Sequence, residues 1–214
     1  MKKIYLFEEF TNKTLSKNNS EYDIYFNTHK GESRSDMVAW ESKGSQERNF
    51  NMTAKHIDNG DSILDYGCGI GDFIEYLIEH NIGISDYMGV DINENFIKIS
   101  KETYPNHNFE KINDINQING QFDVVCAIGV FTWYITKEEF IETIHKLHSL
   151  CKKRLILTVL DGFTPYDEEY AGVEEDYWSS EYRHYSENLF NELFPDLDIS
   201  YEYNKTTILI NIKK

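Results

Sequence analysis

From about Asp61 to Leu160 the chain alternates short apolar runs with amphipathic stretches, and the two periods can be told apart. Ser62 to Tyr66 reads as a buried strand that ends at a glycine cluster. Ile70 to His80 places Phe73, Ile74, Leu77 and Ile78 at helical spacing. Tyr87 to Asp91 reads as a second strand, after which Asn93 is placed to cap a helix bearing Phe96, Ile97 and Ile99. Phe109 to Ile112 is a short third strand. Phe122 to Ile128 is a fourth, apolar enough to be buried on both faces. Thr136 with Glu139 forms a capping box that opens a helix carrying Phe140, Ile141, Ile144, Leu147 and Leu150 on one side. Arg154 to Leu160 is a fifth strand. Such alternation predicts right-handed crossovers and an α/β fold, with a mostly parallel sheet covered by helices on both faces.

The tail breaks the pattern. Leu197 to Tyr203 and Thr206 to Ile212 are β-rich runs separated by Asn204-Lys205, which predicts an antiparallel C-terminal hairpin on the sheet edge. The first 40 residues are polar and aromatic without a usable period, and no element is assigned to them. Residues 161–185 form an insertion holding Phe163, Tyr166, Tyr170, Tyr177, Trp178, Tyr182 and Tyr185, with acidic residues interleaved. Long connections inside compact domains are usually functional, so it reads as a lid; an inward-packed cap with a solvated acidic face is the alternative. We read residues 1–214 as a single domain, with 1–60 an N-terminal helical or cap segment and 161–185 the insertion.

Charge narrows the partners. The chain carries 37 acidic against 21 basic residues, a net −16, so a polyanion or an anionic membrane surface is repelled in general. No apolar run approaches the roughly 18 residues needed to cross a bilayer. Met1 to Phe7 imitates the start of a signal peptide, but Glu8 and Glu9 cut the apolar stretch short. Three cysteines, Cys68, Cys126 and Cys151, lie far apart without a paired motif, which argues against a disulfide frame and a zinc site. The expectation is a cytoplasmic protein of bacterial character, with no metal and no nucleic-acid partner, as a monomer or homodimer.

Ile63-Leu64-Asp65-Tyr66-Gly67-Cys68-Gly69-Ile70-Gly71-Asp72 is the most informative stretch. A strand running into a glycine turn and then a helix lets a ligand approach the backbone at the helix start. The dinucleotide fingerprint would need glycine where Asp72 stands, and a P-loop would need a GK[ST] ending. Neither is present. The pattern of an acidic residue followed by alternating glycines resembles the first motif of the class I S-adenosylmethionine (SAM) dependent methyltransferase family. That resemblance implies a Rossmann-like sandwich with the strand order 3-2-1-4-5-7-6. By it, Asp65, Gly67, Cys68, Gly69 and Gly71 belong to the loop that meets the methionine part of SAM. Asp91 stands where the family's acidic residue takes both ribose hydroxyls, and Ile92 would pack on adenine. Asp114 and Ile115 would flank the adenine amino group, and Ala127 and Ile128 would line the cofactor beneath the sulfonium. Upstream, Trp40 to Phe50 resembles the lead-in of some small bacterial methyltransferases, with Ser45 read as a helix cap. Trp40 and Arg48 then join the cofactor set, Arg48 to pair with the SAM carboxylate.

Cys68 has no base beside it in sequence and is read as inert. His145 and His148 are three apart on a helix but lack further ligands, so both are read as helix-surface residues. The expected activity is transfer of a methyl group from SAM to a small polar acceptor, at oxygen in preference to nitrogen, leaving S-adenosylhomocysteine (SAH). His184 is the candidate base, Arg183 the candidate acceptor-binding cation and Tyr185 a candidate pocket residue. A protein or tRNA methyltransferase is the alternative enzyme; a SAM-binding sensor or non-catalytic partner subunit is the alternative outside enzymes.

Overall fold

Seven strands among the described residues, β1 (Ser62–Tyr66), β2 (Asp86–Asp91), β3 (Asn108–Lys111), β4 (Phe122–Ile128), β5 (Cys151–Leu160), β6 (Ile199–Asn204) and β7 (Thr207–Lys213), join into one sheet. Their order is β3-β2-β1-β4-β5-β7-β6. The structure, a computed structural model, describes residues 22–24, 26–29, 31, 33–40, 42–132, 136–160, 185–205 and 207–214. The first five strands pair in parallel, and β7 runs antiparallel to both β5 and β6. The expected order and closing hairpin are therefore both present, with Lys205 turning the hairpin at a φ of 55°.

Period-two alternation sorts β1 between two cores. Leu64 joins Val125, Ala127, Leu155 and Leu157 under the helices α5 (Lys137–Leu150) and α6 (Glu187–Leu193). Ile63 joins Val124, Cys126 and Ile156 on the opposite face. That face is covered by α2 (Lys43–Ala54), α3 (Asp72–Glu79) and α4 (Glu94–Thr103), which contribute Phe50, Phe73, Leu77 and Ile97. Burying a side chain of this size contributes roughly 1.5–3 kcal/mol, so both faces drive the sheet to form. Asn93 caps α4 and Thr136 with Glu139 caps α5, as the sequence predicts.

Three expectations need correction. Ser42, not Ser45, caps α2: its hydroxyl accepts from the Ser45 N–H at 3.1 Å, so the helix starts earlier. Ile78 is exposed on α3, because its position rotates past the apolar stripe. Residues before 40 do form structure: a short helix α1 (Arg34–Met37) follows helical residues 22–24 and 26–29. Phe26 is buried there against Phe96, with ring centroids 5.7 Å apart. No helix among the described residues is long and apolar enough to cross a membrane.

Candidate functional site

β1 delivers the chain to the carboxyl end of the sheet, where residues 67–71 must turn back into α3. Gly67 and Cys68 donate from their N–H groups to the Val90 carbonyl at 2.8 and 3.0 Å, tying the turn to β2. Gly69 donates to one Asp91 carboxylate oxygen at 3.0 Å, and Asn93 donates to the other at 2.8 Å. Ser100 of α4 donates to the Gly69 carbonyl at 3.0 Å. Glycine loops are conformationally loose on their own, so these bonds are what give the turn one shape. Gly71, at a φ of 83°, opens α3 as its N-cap.

Asp91 is the chemically distinctive group. Burial pushes its carboxyl up to about 6, against the lowering effect of the N–H groups of Asn93, Gly69 and Ile92. Each oxygen retains accepting capacity after its backbone bond, which suits a vicinal diol. Tyr66 lies on the same side; burial, with the Asp91 and Asp114 carboxylates, keeps its hydroxyl protonated far above the ordinary range. Its ring stacks on Phe131 at 6.2 Å. Asp114 is exposed, with its carboxylate accepting from the Asn116 N–H at 2.7 Å as cap of a short 3₁₀ turn, while Ile92 and Ile115 are half-buried.

Two other expected residues face elsewhere. Asp65 is 2% exposed, and its carboxyl accepts the Tyr87 hydroxyl at 2.5 Å; burial raises it to about 7. It braces the root of the loop from inside the sheet. Cys68 is buried and its thiol is pushed well up by burial, which makes it unreactive. Ala127 and Ile128 also turn their side chains into the cores. Val130, one turn further, reaches the loop instead: a Cβ on Gly67 would come 2.4 Å from its Cγ2. With Gly67 at a φ of 78°, the position admits glycine on both sterics and backbone grounds.

The lead-in is placed differently from expectation. Trp40 packs over Gly129, where a Cβ would lie 2.9 Å from the indole, and contacts Phe50 edge-on. Arg48 is half-buried, with Nη1 3.6 Å from where a Gly44 Cβ would stand, so its guanidinium runs back along α2. The guanidinium at the glycine loop belongs to Arg34: Nε donates to Asp72 at 2.6 Å and Nη2 to the Ile70 carbonyl at 3.0 Å. Gln46 donates to the other Asp72 oxygen at 2.8 Å. Arg34, Gln46, Asp72 and Tyr66 carried no such role in the sequence reading, whereas Val130 belongs to the fourth-strand end, Ala127 to Val130, expected to line the cofactor. Ser33 and Asp36 do supply a helix-start signal, since Ser33 accepts from the Asp36 N–H.

Tyr185 is also corrected. It is fully buried, donates to the Phe131 carbonyl at 2.7 Å and packs on Phe140 at 4.6 Å, so it is a core pillar and not a pocket wall. Arg183, His184 and residues 161–184 lie outside the described residues. His145 and His148 pack against the Phe194 ring. Among the described residues no group of three or more His, Cys, Asp or Glu side chains is arranged to hold a metal ion.

Comparison with known proteins places this geometry. Residues 64–154 match the family described as a methyltransferase domain. Over those residues, fewer than half of the 214, the chain is similar to methyltransferase domains. A putative methyltransferase 235L of Invertebrate iridescent virus 6 is 27% identical over 53% of this chain and 42% of its own length. The ribosomal protein L11 methyltransferase of Thermotoga neapolitana is 29% identical over 34% of this chain and 28% of its own length. The chain thus matches less than half the length of either relative. Among solved structures, magnesium protoporphyrin IX methyltransferase from Synechocystis PCC 6803 with bound SAM superposes with a TM-score of 0.65, 18% identity, and 94% and 97% coverage of the two chains. Phosphoethanolamine N-methyltransferase 1 from Haemonchus contortus, with phosphoethanolamine and SAH, gives 0.69 at 13% identity, covering 96% of this chain and 49% of that one. At these identities the structural likeness establishes the shared fold.

Proposed function

We propose that the protein is a SAM-dependent methyltransferase acting on a small polar acceptor, at oxygen in preference to nitrogen. The observation that carries the cofactor assignment is Asp91, a carboxylate at the end of β2 bonded to the N–H of the glycine loop itself. One group thereby links the part of the site suited to a diol with the part suited to a methionyl chain. The residues fit the cofactor: Asp91 takes the ribose hydroxyls, Ile92 and Ile115 offer apolar surface to adenine with Asp114 at the amino edge, and Gly67 and Gly69 let the methionine portion reach the backbone. Asp65, Cys68 and Gly71 support the loop from beneath, and Trp40 walls it. SAM, when bound, supplies a methyl group already activated on a positively charged sulfur. The protein's part is to align an acceptor lone pair with the methyl–sulfur bond and to exclude water, where orientation alone is worth on the order of 7–11 kcal/mol.

Acceptor recognition is assigned to residues 161–184, which follow β5 in sequence. Arg183 favours an anionic acceptor and His184 serves as base where the acceptor carries a proton. The solved relative crystallised with phosphoethanolamine binds a small charged acceptor on this fold, which is compatible with that assignment. The net charge of −16 weighs against tRNA, and the working location is the cytoplasm, with the protein as a monomer or homodimer. Two measurements test the proposal. Calorimetry with SAH reports the cofactor site, and SAH release across a panel of small hydroxyl, carboxyl and amino compounds reports the acceptor. SAH binding without turnover on any member would favour a sensor or partner subunit; no SAH binding would end the proposal.

A further inference from the structure

The glycine loop is held from a third side that the cofactor assignment does not use. Its two outer carbonyls both accept side-chain donors: Ser100 on the Gly69 carbonyl and Arg34 on the Ile70 carbonyl, each at 3.0 Å. Arg34 is remote in sequence yet reaches four groups around the loop, Asp72 at 2.6 Å, the Ile70 carbonyl, the Tyr104 hydroxyl at 3.4 Å and Glu75 at 3.6 Å. Asp72 is 8% exposed and uses its second oxygen for Gln46, so one buried carboxylate joins α1, α2 and the start of α3. The same N-terminal stretch is fixed again at Asp23, which accepts from Asn93 at 2.8 Å and Asn95 at 3.2 Å beside Asp91. Between these anchors Phe26, Ile70 and Phe96 share a small buried cluster. Ala39, at a φ of 61°, then turns the chain so that Val38 faces Gly69 and Trp40 faces Gly129. A non-glycine residue in that conformation costs energy and persists where its surroundings hold it.

We infer that the described residues between 22 and 40 form a fixed wall of the cofactor site and that Arg34 is a positioning residue for SAM, acting through Asp72 and the Ile70 carbonyl. Asp23 has the same role at the ribose side. The inference rests on the cofactor assignment above and adds residues that neither the glycine motif nor Asp91 supplies. Its physical basis is pre-organisation: a loop that samples other shapes when unpinned has its affinity reduced to the fraction of time it spends in the binding-competent shape. Arg34 spans Asp72 and the Ile70 carbonyl with two nitrogens of a rigid planar fork, a spread that the compact ammonium of lysine, with all its donors on one atom, matches less well.

The test is SAH affinity by calorimetry for wild type, Arg34→Ala, Arg34→Lys, Asp23→Ala and Asp91→Ala, each with a thermal melt. Arg34→Ala is expected to weaken SAH binding about tenfold, Arg34→Lys by an intermediate factor and Asp23→Ala by a few-fold. Asp61→Asn, a change at the far end of the sheet, is the control: it lowers the melting temperature and leaves SAH affinity alone. If Arg34→Ala and Arg34→Lys keep wild-type affinity while Asp91→Ala loses it, the positioning role is wrong and the cofactor assignment stands. If wild type fails to bind SAH, both fall. Should Arg34→Ala not fold, Arg34→Lys decides, since an affinity equal to wild type overturns the role and an intermediate one supports it.

Discussion

The two ends of β1 carry aspartates in opposite circumstances. At its start Asp61 is buried against Lys153 at 2.5 Å, and Asp123 of the neighbouring strand accepts from the Ser62 N–H and hydroxyl at 3.0 and 2.8 Å. Arg154 adds a pair with Asp58 at 3.3 Å. At its finish Asp65 meets a hydroxyl and a thiol, and Asp91 meets backbone N–H groups. The first set lies beside cations; the second is pushed towards protonation by burial, to about 7 and about 6. One end is built as a closed structural cluster. The other leaves accepting capacity at the mouth of a glycine turn, the place proposed above for the cofactor.

The hardest way to break that contrast is at Gly67. Gly67→Val places a branched side chain at a φ of 78° and within 2.4 Å of Val130, measured from Cβ. Backbone strain and overpacking together cost about 2–4 kcal/mol, and SAH binding is expected to fall beyond detection. The double variant with Val130→Ala should recover stability in part and affinity hardly at all. Recovery of full affinity would mean that the loop serves only as a packing surface.

Asp91→Ala comes next. Removing the carboxylate proposed to take both ribose hydroxyls is expected to weaken SAH by roughly 10- to 100-fold, the effect of about 1.5–3 kcal/mol for charged hydrogen bonds. Unchanged affinity in calorimetry would remove Asp91 from the site and, with it, the reading of this end as the functional one.

What the sequence made legible follows the same division. Strong periodic signals, the β4 run and the Thr136–Glu139 box among them, fix the sheet and its helices because burial on both faces needs uninterrupted apolar positions. The place of Asp91 at a strand end beside the glycine turn was legible, while its ribose role is what the family resemblance implies. Arg34 and Asp23 were not, since residues 22–40 contact the core through a few spaced side chains and show no period. Tyr185 misled for a different reason: one buried tyrosine in an aromatic-rich stretch looks like its neighbours until its hydroxyl is seen to donate to the Phe131 carbonyl. Asp65 misled because strand alternation turns it inward, opposite to Tyr66.

Acidity separates the two ends by sign. Asp65 has an ordinary value of 3.8 and a folded value of about 7, so between those the folded chain binds more protons than the unfolded one. Stability from this group therefore falls as pH rises through that window, and Asp91 adds the same slope up to about 6. Asp65→Asn keeps an oxygen for the Tyr87 hydroxyl and removes the titration. It should raise the melting temperature near pH 7.5 by about a few degrees and flatten the decline between pH 4 and 7. A slope between pH 4 and 7 that Asp65→Asn leaves unchanged would contradict the burial of Asp65 as a carboxyl with no cationic partner.

Asp123 should give the smallest effect, with the opposite slope. Two bonds from Ser62 come first in lowering its pKa below 3.8, and Lys153, with Nζ 3.7 Å away, adds to them. The unfolded chain then binds more protons than the folded one below 3.8, so this contribution is present above that pH and is lost as pH falls through the lower folded value. Because the group lies near the surface, screening holds its worth below about 1 kcal/mol. Asp123→Asn is thus expected to trim stability slightly near neutrality, leave the slope between pH 4 and 7 as it is, and make the acid limb below pH 4 shallower. Melts of wild type, Asp65→Asn and Asp123→Asn across pH 2.5–8 would show each substitution altering its own limb. A change in the neutral slope on Asp123→Asn would mean that the two ends of β1 titrate as one system, and the contrast between them would have to be abandoned.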